Sequence, residues 1–208
     1  PSMRDVRRNL GRGAEGRHMN RPTRVLLLVD SLTPEAGTEN QLIEMIHRMD
    51  PAQTEVFVAC MDDGDRLKSL APYAIPLVFP APGAFSLAGV KQMLRLRKEI
   101  KRHSIDIVHT FMIRATVFGV LGAYGSRAKA ILTSRRNVGY WYTAPFLMLF
   151  RLLNHLTTRV VANSEGARSA AIRSEGLSPD RVDVLYNGVD MTRFERTADL
   201  DFAARLGI

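Results

Sequence analysis

Seven short apolar segments constrain the fold of this chain more than any other feature. None of them alternates apolar and polar side chains as a strand with one solvated face would. Strands buried on both faces are typical of a parallel sheet that is covered by helices. The predicted strands span residues 24–30, 55–59, 75–79, 105–110, 129–132, 159–162 and 182–186. We therefore predict an α/β fold with a mostly parallel sheet of about seven strands and helices on both faces.

The segments between these strands are predicted to be helices. Apolar side chains recur at intervals of three and four residues, as on the buried face of a helix. Ser86 and Ser164 stand where a helix cap is expected. The prolines around 75–83 place strand 75–79 at the edge of the sheet, since proline cannot join a central ladder. The predicted helices span residues 38–49, 87–103, 112–124, 146–153 and 165–175, with a short helix within 62–74.

The net charge of +8 is concentrated at the start of the chain. Residues 1–24 contain seven arginines against Asp5 and Glu15, a net charge of +5, which leaves +3 for the remaining 184 residues. This near balance argues against a nucleic-acid-binding domain. We expect residues 1–22 to be a disordered basic leader or residues that are not native to the protein, 23–190 to be the folded domain, and 191–208 to begin a linker.

Cysteine content and hydropathy indicate a cellular compartment. The chain has one cysteine, Cys60, and therefore no internal disulfide framework, which fits a reducing environment. No apolar run reaches the roughly 18 residues that a spanning helix needs, and no secretory signal is evident. We expect a cytoplasmic protein.

Two segments raise the question of a membrane contact. Lys91, Arg95, Lys98 and Arg102 form a basic stripe on helix 87–103, which is either a solvated face or a surface that docks on an anionic membrane. Segment 146–153 is apolar nearly all round, so it is either a core helix or a contact with a membrane or a lipid acceptor. We therefore expect a protein that can associate with the inner face of the membrane.

Polar residues at the strand ends are the candidates for a binding site. The carboxyl ends of parallel strands share one edge of the sheet, and ligands bind outside that edge. Arg135 and Arg136 follow one strand, and arginine suits bidentate contact with phosphate or carboxylate, although salt bridges to neighbouring helices are the alternative. Gly37 begins a helix after a strand, and the backbone N–H groups at such a helix start can bind an anion. A plain helix start after a surface loop fits the same spacing.

The order and spacing of four motifs resemble those of the retaining glycosyltransferases of family 4. The motifs are Ala36-Gly37-Thr38-Glu39, Asp106-Ile107-Val108-His109-Thr110, Val161-Ala162-Asn163-Ser164-Glu165, and Asn187-Gly188-Val189-Asp190 followed by Phe194. The resemblance implies one half of a GT-B fold, in which two Rossmann-like domains face each other across a cleft. This half would be the amino-terminal, acceptor-binding domain. The second domain would bind the nucleotide sugar and contain two glutamates separated by seven residues.

The resemblance also implies roles for individual residues. Ala36, Gly37 and Thr38 would approach the donor diphosphate, with alanine where the family usually has a first glycine. His109 matches the first histidine of a His-x-His pattern, whose second histidine is Phe111 here, and would face the cleft as the catalytic residue. A histidine buried in the rim and hydrogen-bonded is the alternative. The acceptor-binding candidates are Arg114, Ser134, Arg135, Arg136, Asn137, Asn163, Ser164 and Glu165, with Ser164 as a plain helix cap as the alternative.

The expected activity is metal-independent transfer of a hexosyl group with retention, as in polysaccharide biosynthesis. The donor would be a nucleotide sugar and the acceptor a glycan or a lipid-linked group, with no cofactor and no metal. Charge develops on the leaving diphosphate, so nearby amides and cations would lower the barrier. These residues alone would be inactive. The alternatives are a sugar-nucleotide epimerase of the same fold, and a non-catalytic module that binds a glycan or an anionic lipid.

Overall fold

The computed structural model describes residues 21–32, 37–62, 65–80, 86–139 and 142–188. A seven-stranded sheet has the order β3-β2-β1-β4-β5-β6-β7, and every neighbouring pair is parallel. This confirms the predicted fold class and the place of the proline-containing strand β3 at one edge. The strands are β1 (Thr23–Val29), β2 (Thr54–Cys60), β3 (Ile75–Val78), β4 (Ile107–Thr110), β5 (Ala130–Arg135), β6 (Arg159–Ala162) and β7 (Val182–Val184).

The helices also follow the prediction to within a few residues. Ser86 and Ser164 each accept a hydrogen bond from a backbone N–H in the first turn of the helix that follows, as expected of caps. The helices are α1 (Gly37–Arg48), α2 (Asp65–Ser69), α3 (Leu87–Arg102), α4 (Ile113–Ala123), α5 (Ala144–Asn154) and α6 (Glu165–Glu175), with a 3₁₀ turn at Pro179–Arg181.

Strand β5 is longer than the sequence predicts. It continues through Thr133, Ser134 and Arg135, which the prediction placed in a loop at the rim. The reason is its neighbour β6, because Ser134 pairs with Val161 and Arg135 with Ala162 in the parallel ladder. Ser134 and Arg135 are therefore held by the sheet itself and point to opposite faces of it.

Helices cover both faces of the sheet. One core cluster joins β1, β2 and β4 to α3, α4 and α5, and includes Phe57, Leu96, Phe118 and Phe150. A second cluster on the other face joins β1 and β2 to α1 through Leu42 and Ile46. A third, smaller cluster packs α6 on β6 and β7.

Helix α4 lies unusually close to the sheet because Gly119 has no side chain. A Cβ atom at position 119 would lie 2.5 Å from the Cγ2 atom of Thr110 and 2.8 Å from a methyl group of Leu28. With a larger residue at this position, these two side chains or the helix itself would have to shift. Gly119 therefore helps to fix the height of α4, and with it the position of the amino terminus of α4 at the carboxyl edge of the sheet.

The opposite, amino-terminal edge is anchored by Asp106. Its carboxylate accepts hydrogen bonds from the backbone N–H of Arg24 and from the guanidinium of Arg21, and it forms an ion pair with Lys129 at 2.9 Å. Burial by itself raises the pKa of Asp106, but these hydrogen bonds outweigh it and lower the pKa to about 2. Arg21 is thus in contact with the domain, although the predicted boundary leaves it in the leader. Residues 1–20 and 189–208, with the predictions made for them, lie outside the described residues.

The pKa of Asp106 makes the stability of the domain sensitive to acid. A carboxylate whose pKa is lower in the folded than in the unfolded chain stabilises the fold above the unfolded value and stops doing so as pH falls. We expect Asp106→Asn to reduce the free energy of unfolding at pH 7 by roughly 2 kcal/mol, and this difference from the wild type to disappear between pH 4 and pH 2. Urea unfolding at several pH values measures both effects.

The matched control is Asp183→Asn, which removes the exposed ion pair between Asp183 and Arg159. Exposed pairs contribute little, so this change should cost less than about 1 kcal/mol. Equal losses in the two variants would show that Asp106 does not anchor the fold as described.

Candidate functional site

A pocket of about 360 Å³ opens at the carboxyl edge of the sheet. It lies between the residue that follows β1, the amino termini of α1 and α4, and the end of β5. The lining includes hydroxyl-bearing, charged and apolar side chains. The lining residues are Asp30, Thr38, Met112, Ile113, Thr116, Ser134, Arg135, Arg136, Asn137, Tyr142 and Phe150.

Several of the predicted site residues meet in this pocket. Thr38 reaches it from the first turn of α1, and Ser134, Arg136 and Asn137 reach it from the end of β5. The Oδ1 atom of Asn137 accepts a hydrogen bond from the backbone N–H of Gly139 at 2.9 Å, which fixes the orientation of the amide group. The prediction that polar strand ends gather along one rim is therefore consistent with the parallel sheet and with this pocket.

His109 stands behind Ser134. Its Nε2 atom lies 2.9 Å from the Oγ atom of Ser134, and its ring packs on Phe111 with the ring centroids 4.3 Å apart. Burial, followed by the positive charge of Arg136, lowers the pKa of His109 to about 4. At neutral pH the imidazole is therefore uncharged, with one ring nitrogen as donor and the other as acceptor. His109 can orient the Ser134 hydroxyl, while its predicted catalytic role stays a prediction.

Arg136 provides the positive charge of the pocket. Its guanidinium donates a hydrogen bond to the Oδ1 atom of Asn187 at 2.7 Å. Burial lowers the pKa of Arg136, and the negative charge of buried Glu39 opposes that effect. Arginine nevertheless stays protonated in proteins, so this side of the pocket presents a permanent cation.

Arg135 serves the scaffold. Its guanidinium donates to both carboxylate oxygens of Glu175, at 2.7 and 2.8 Å, and to Asn154 at 3.1 Å, and it lies over the ring of Phe150 at 4.6 Å. The side chains of Arg135 and Glu175 are only 4% and 1% exposed. This is the salt bridge to neighbouring helices that the sequence left open as an alternative. Arg135 also lines the pocket, and its acceptor-binding role stays a prediction.

Asp30 is a pocket residue that the sequence analysis did not include among the site candidates. It follows β1, and its carboxylate accepts hydrogen bonds from the backbone N–H groups of Ala115 at 2.5 Å and Arg114 at 3.3 Å, at the start of α4. Burial raises the pKa of Asp30, against the lowering effect of these two bonds and of the Arg114 charge. The only signal in the sequence was its place at the end of a predicted strand.

A glycine with positive φ packs closely against an aromatic residue that lines the pocket. Gly139 has a φ angle of +68°, and a Cβ atom there would lie 2.7 Å from the ring of Tyr142. The ring of Tyr142 stacks on Phe150 with centroids 5.4 Å apart. Met112 and Ile113 also line the pocket, so its lining includes uncharged as well as polar side chains.

The other predicted site residues lie around the pocket. Arg114 forms an ion pair with Asp62 at 3.1 Å, and the amide of Asn163 donates to the carbonyl of Arg136 at 3.3 Å. Ser164 caps α6, as the alternative interpretation stated, and the exposed Glu165 pairs with Arg168 at 3.6 Å. Gly37 begins α1 beside Thr38. Ala36 lies outside the described residues.

Within the described part of the chain, no three histidine, cysteine, aspartate or glutamate side chains are grouped as metal ligands would be. The predicted absence of a metal requirement stays a prediction.

The sequence matches a family model that covers most of the chain. Residues 36–193 match the model described as Glycosyltransferase Family 4. No curated protein matches the chain at a significant level.

Solved structures share the fold. Anabaena HepE, solved in complex with UDP, has a TM-score of 0.70 and 21% identity over 89% of this chain and 50% of its own. A glycosyltransferase from Rickettsia africae has a TM-score of 0.70 and 17% identity over 91% of this chain and 50% of its own. A UDP-GlcNAc 2-epimerase from Methanocaldococcus jannaschii has a TM-score of 0.57 and 14% identity over 79% and 46%. The chain thus spans about half the length of the structures it matches.

The pKa of His109 can be tested by following its ring signals in an NMR titration. We expect a midpoint near pH 4, because protonation would place a second positive charge beside Arg136 in a buried site. Arg136→Gln should raise the midpoint, since it removes that charge. A midpoint close to the ordinary value of about 6.5 in the wild type would contradict the buried site described above.

Proposed function

The chain belongs to glycosyltransferase family 4, and from that premise we propose that it is the amino-terminal, acceptor-binding half of a GT-B enzyme. The enzyme would transfer a sugar from a nucleotide sugar to a glycan or a lipid-linked acceptor. The observation that carries this proposal is the pocket at the carboxyl edge of the sheet, where hydroxyl, amide and guanidinium groups from four segments converge. Such an edge is where open α/β sheets bind ligands.

The comparison structures support the nature of the donor. The structures of Anabaena HepE hold UDP, and one of them also holds glucose. For this chain we propose a nucleotide-sugar donor that is bound mainly by a second domain. Thr38, at the start of α1, and Arg136 would then face the donor diphosphate or an anionic part of the acceptor. The N–H groups at a helix start and a guanidinium both favour negative charge.

The residues of this half would act by charge and position. As the bond between sugar and diphosphate breaks, negative charge grows on the diphosphate, and a fixed cation in a partly buried site lowers the energy of that state. Arg136 provides such a cation. Neutral His109 would hold the Ser134 hydroxyl so that it can hydrogen-bond with the acceptor. We propose that the reaction needs no metal and retains the anomeric configuration, as predicted from the family resemblance.

The activity can be tested on the native polypeptide that contains this chain and a second GT-B domain. We expect sugar transfer from a nucleotide sugar in the presence of EDTA, with the product anomer matching the donor by NMR. Arg136→Gln should lower kcat/KM about 10- to 100-fold, which is the effect of losing a hydrogen bond to a charged group. The 208-residue chain alone should show no turnover.

Arg173→Gln is the control for this change, because Arg173 is an exposed arginine near the end of α6. It should leave kcat/KM within twofold of the wild type. Loss of activity with EDTA that a divalent metal restores would refute metal independence. Epimerisation of the donor without any acceptor would favour an epimerase of the same fold, and acceptor binding without any turnover would favour a non-catalytic module.

We also propose that α3 docks the protein on an anionic membrane surface, where a lipid-linked acceptor would be found. Leu87, Val90 and Leu94 on this helix are 92%, 48% and 54% exposed. The helical repeat places them on the same face as Lys91 and Lys98, which are also exposed. Apolar side chains flanked by lysines suit the boundary between anionic headgroups and acyl chains. Among the described residues, no helix is long and apolar enough to cross a membrane.

Vesicle sedimentation tests this surface. Lys98→Gln should weaken binding to vesicles containing phosphatidylglycerol about fivefold, since each lysine near such a surface contributes about 1 kcal/mol. Leu87→Gln with Leu94→Gln should weaken it further. Arg173→Gln changes the net charge equally on another helix and should have little effect. Equal binding of the wild type to neutral phosphatidylcholine vesicles, or no difference between Lys98→Gln and Arg173→Gln, would refute the docking surface.

A further inference from the structure

Asp30 is the carboxylate among the side chains that line the pocket. It stands directly after β1, and it reaches across to the start of α4, 85 residues further along the chain. Its two oxygens accept hydrogen bonds from two successive backbone N–H groups, those of Arg114 and Ala115. Asp30 therefore closes the amino terminus of α4 from a different part of the sheet.

Helix α4 has no cap of its own. Its cap position is Met112, which makes no side-chain cap hydrogen bond, and its first turn contains no acidic residue. Met112 also has a φ angle of 67°, a sparsely populated conformation for a residue other than glycine. A helix start of this kind would attract an anion through its N–H groups and its dipole. Asp30 occupies that place with its own negative charge.

The charges along the pocket are therefore separated. Asp30 provides negative charge at the end formed by β1 and α4, where the positive charge of Arg114 is paired with Asp62, and Arg136 provides positive charge at the end of β5. Each carboxylate oxygen can accept two hydrogen bonds, and the helix start uses one on each oxygen. The remaining acceptor positions can receive hydroxyl groups. A second anion next to Asp30 would meet repulsion in a partly buried site, where charges interact strongly.

We propose that Asp30 is a specificity residue that receives a hydroxyl of the acceptor and excludes phosphate and carboxylate groups from its end of the pocket. The acceptor group at this end is then a neutral polyol, such as a sugar ring, and any anionic group of the acceptor lies toward Arg136. The uncharged lining residues Met112, Ile113 and Tyr142 offer apolar surface to such a ring. This inference rests on the proposed function, in which the pocket binds the acceptor.

NMR titrations of the 208-residue chain test the inference with two probes, methyl α-D-glucoside and inorganic phosphate. In the wild type, the glucoside should shift the backbone amide signals of Arg114 and Ala115, and phosphate should shift the signals of Arg136 and leave those two amides unchanged. Asp30→Asn keeps the size of the side chain and one acceptor oxygen for the cap. It should weaken glucoside binding about tenfold or more, and phosphate should now shift the Ala115 amide.

Asp62→Asn is the matched control, because Asp62 is a neighbouring aspartate that pairs with Arg114 and is half-exposed. It should bind both probes as the wild type does. If Asp30→Asn does not fold, Asp30→Ser replaces it, because serine retains a capping oxygen without charge. This variant should also bind the glucoside more weakly, and phosphate should shift its Ala115 amide. The phosphate titration of the wild type needs no variant at all.

The outcomes separate this inference from the proposed function. One result is that the glucoside shifts the signals of Ser134 and Asn137 equally in three proteins: the wild type, Asp30→Asn and Asp62→Asn. That result would overturn the role of Asp30 and leave the acceptor pocket intact. Phosphate that shifts the Arg114 and Ala115 amides of the wild type would also overturn it. A glucoside that shifts no pocket signal in the wild type would count against both.

Discussion

The parallel direction of all seven strands is the constraint on which the rest of the structure depends. A parallel ladder forces the chain to cross a face of the sheet after each strand, so every strand ends at the same edge. The faces must then be apolar, and the polar residues that a binding site needs are left at the strand ends. The pocket is a consequence of this arrangement: Asp30, Met112 and Asn137 come from distant parts of the sequence, yet each follows the end of a strand.

The length of β5 and its pairing with β6 determine which contacts Arg135 and Arg136 make at this edge. Because β5 continues to Arg135, the guanidinium of that residue meets Glu175 of α6, while Arg136 lies one position beyond the strand. Both arginines line the pocket. Breaking a buried pair such as Arg135–Glu175 by removing one partner typically costs about 3–5 kcal/mol. The pair thus ties β5 to α6, and it holds the strand that positions Ser134 and Arg136. Of these two adjacent arginines, Arg135 is thus bound into the scaffold, while Arg136 is hydrogen-bonded to Asn187 at the edge of the sheet.

The sequence predicted the strands, the helices and the edge position of β3 because these depend on local patterns of apolar residues, prolines and caps. It also predicted that Ser134, Arg135, Arg136 and Asn137 would lie at one rim, since the ends of parallel strands share an edge, whereas Thr38 was a candidate only through the family resemblance. It did not predict the role of Asp30, because the partner of its carboxylate is a helix start 85 residues away. Nor could it separate Arg135 from Arg136, because the length of β5 is set by pairing with β6 rather than by the residues of β5.

The polar groups of the pocket are largely oriented before any ligand binds. Asp30 is held by the start of α4, Asn137 by the amide of Gly139, and the Ser134 hydroxyl by His109. Arg136 rests against Asn187, on the segment that follows β7. Groups that are already oriented lose little conformational freedom on binding, and they cost no reorganisation as charge develops. A ligand that fits this edge would therefore meet a fixed pattern, with negative charge near β1 and positive charge near β5.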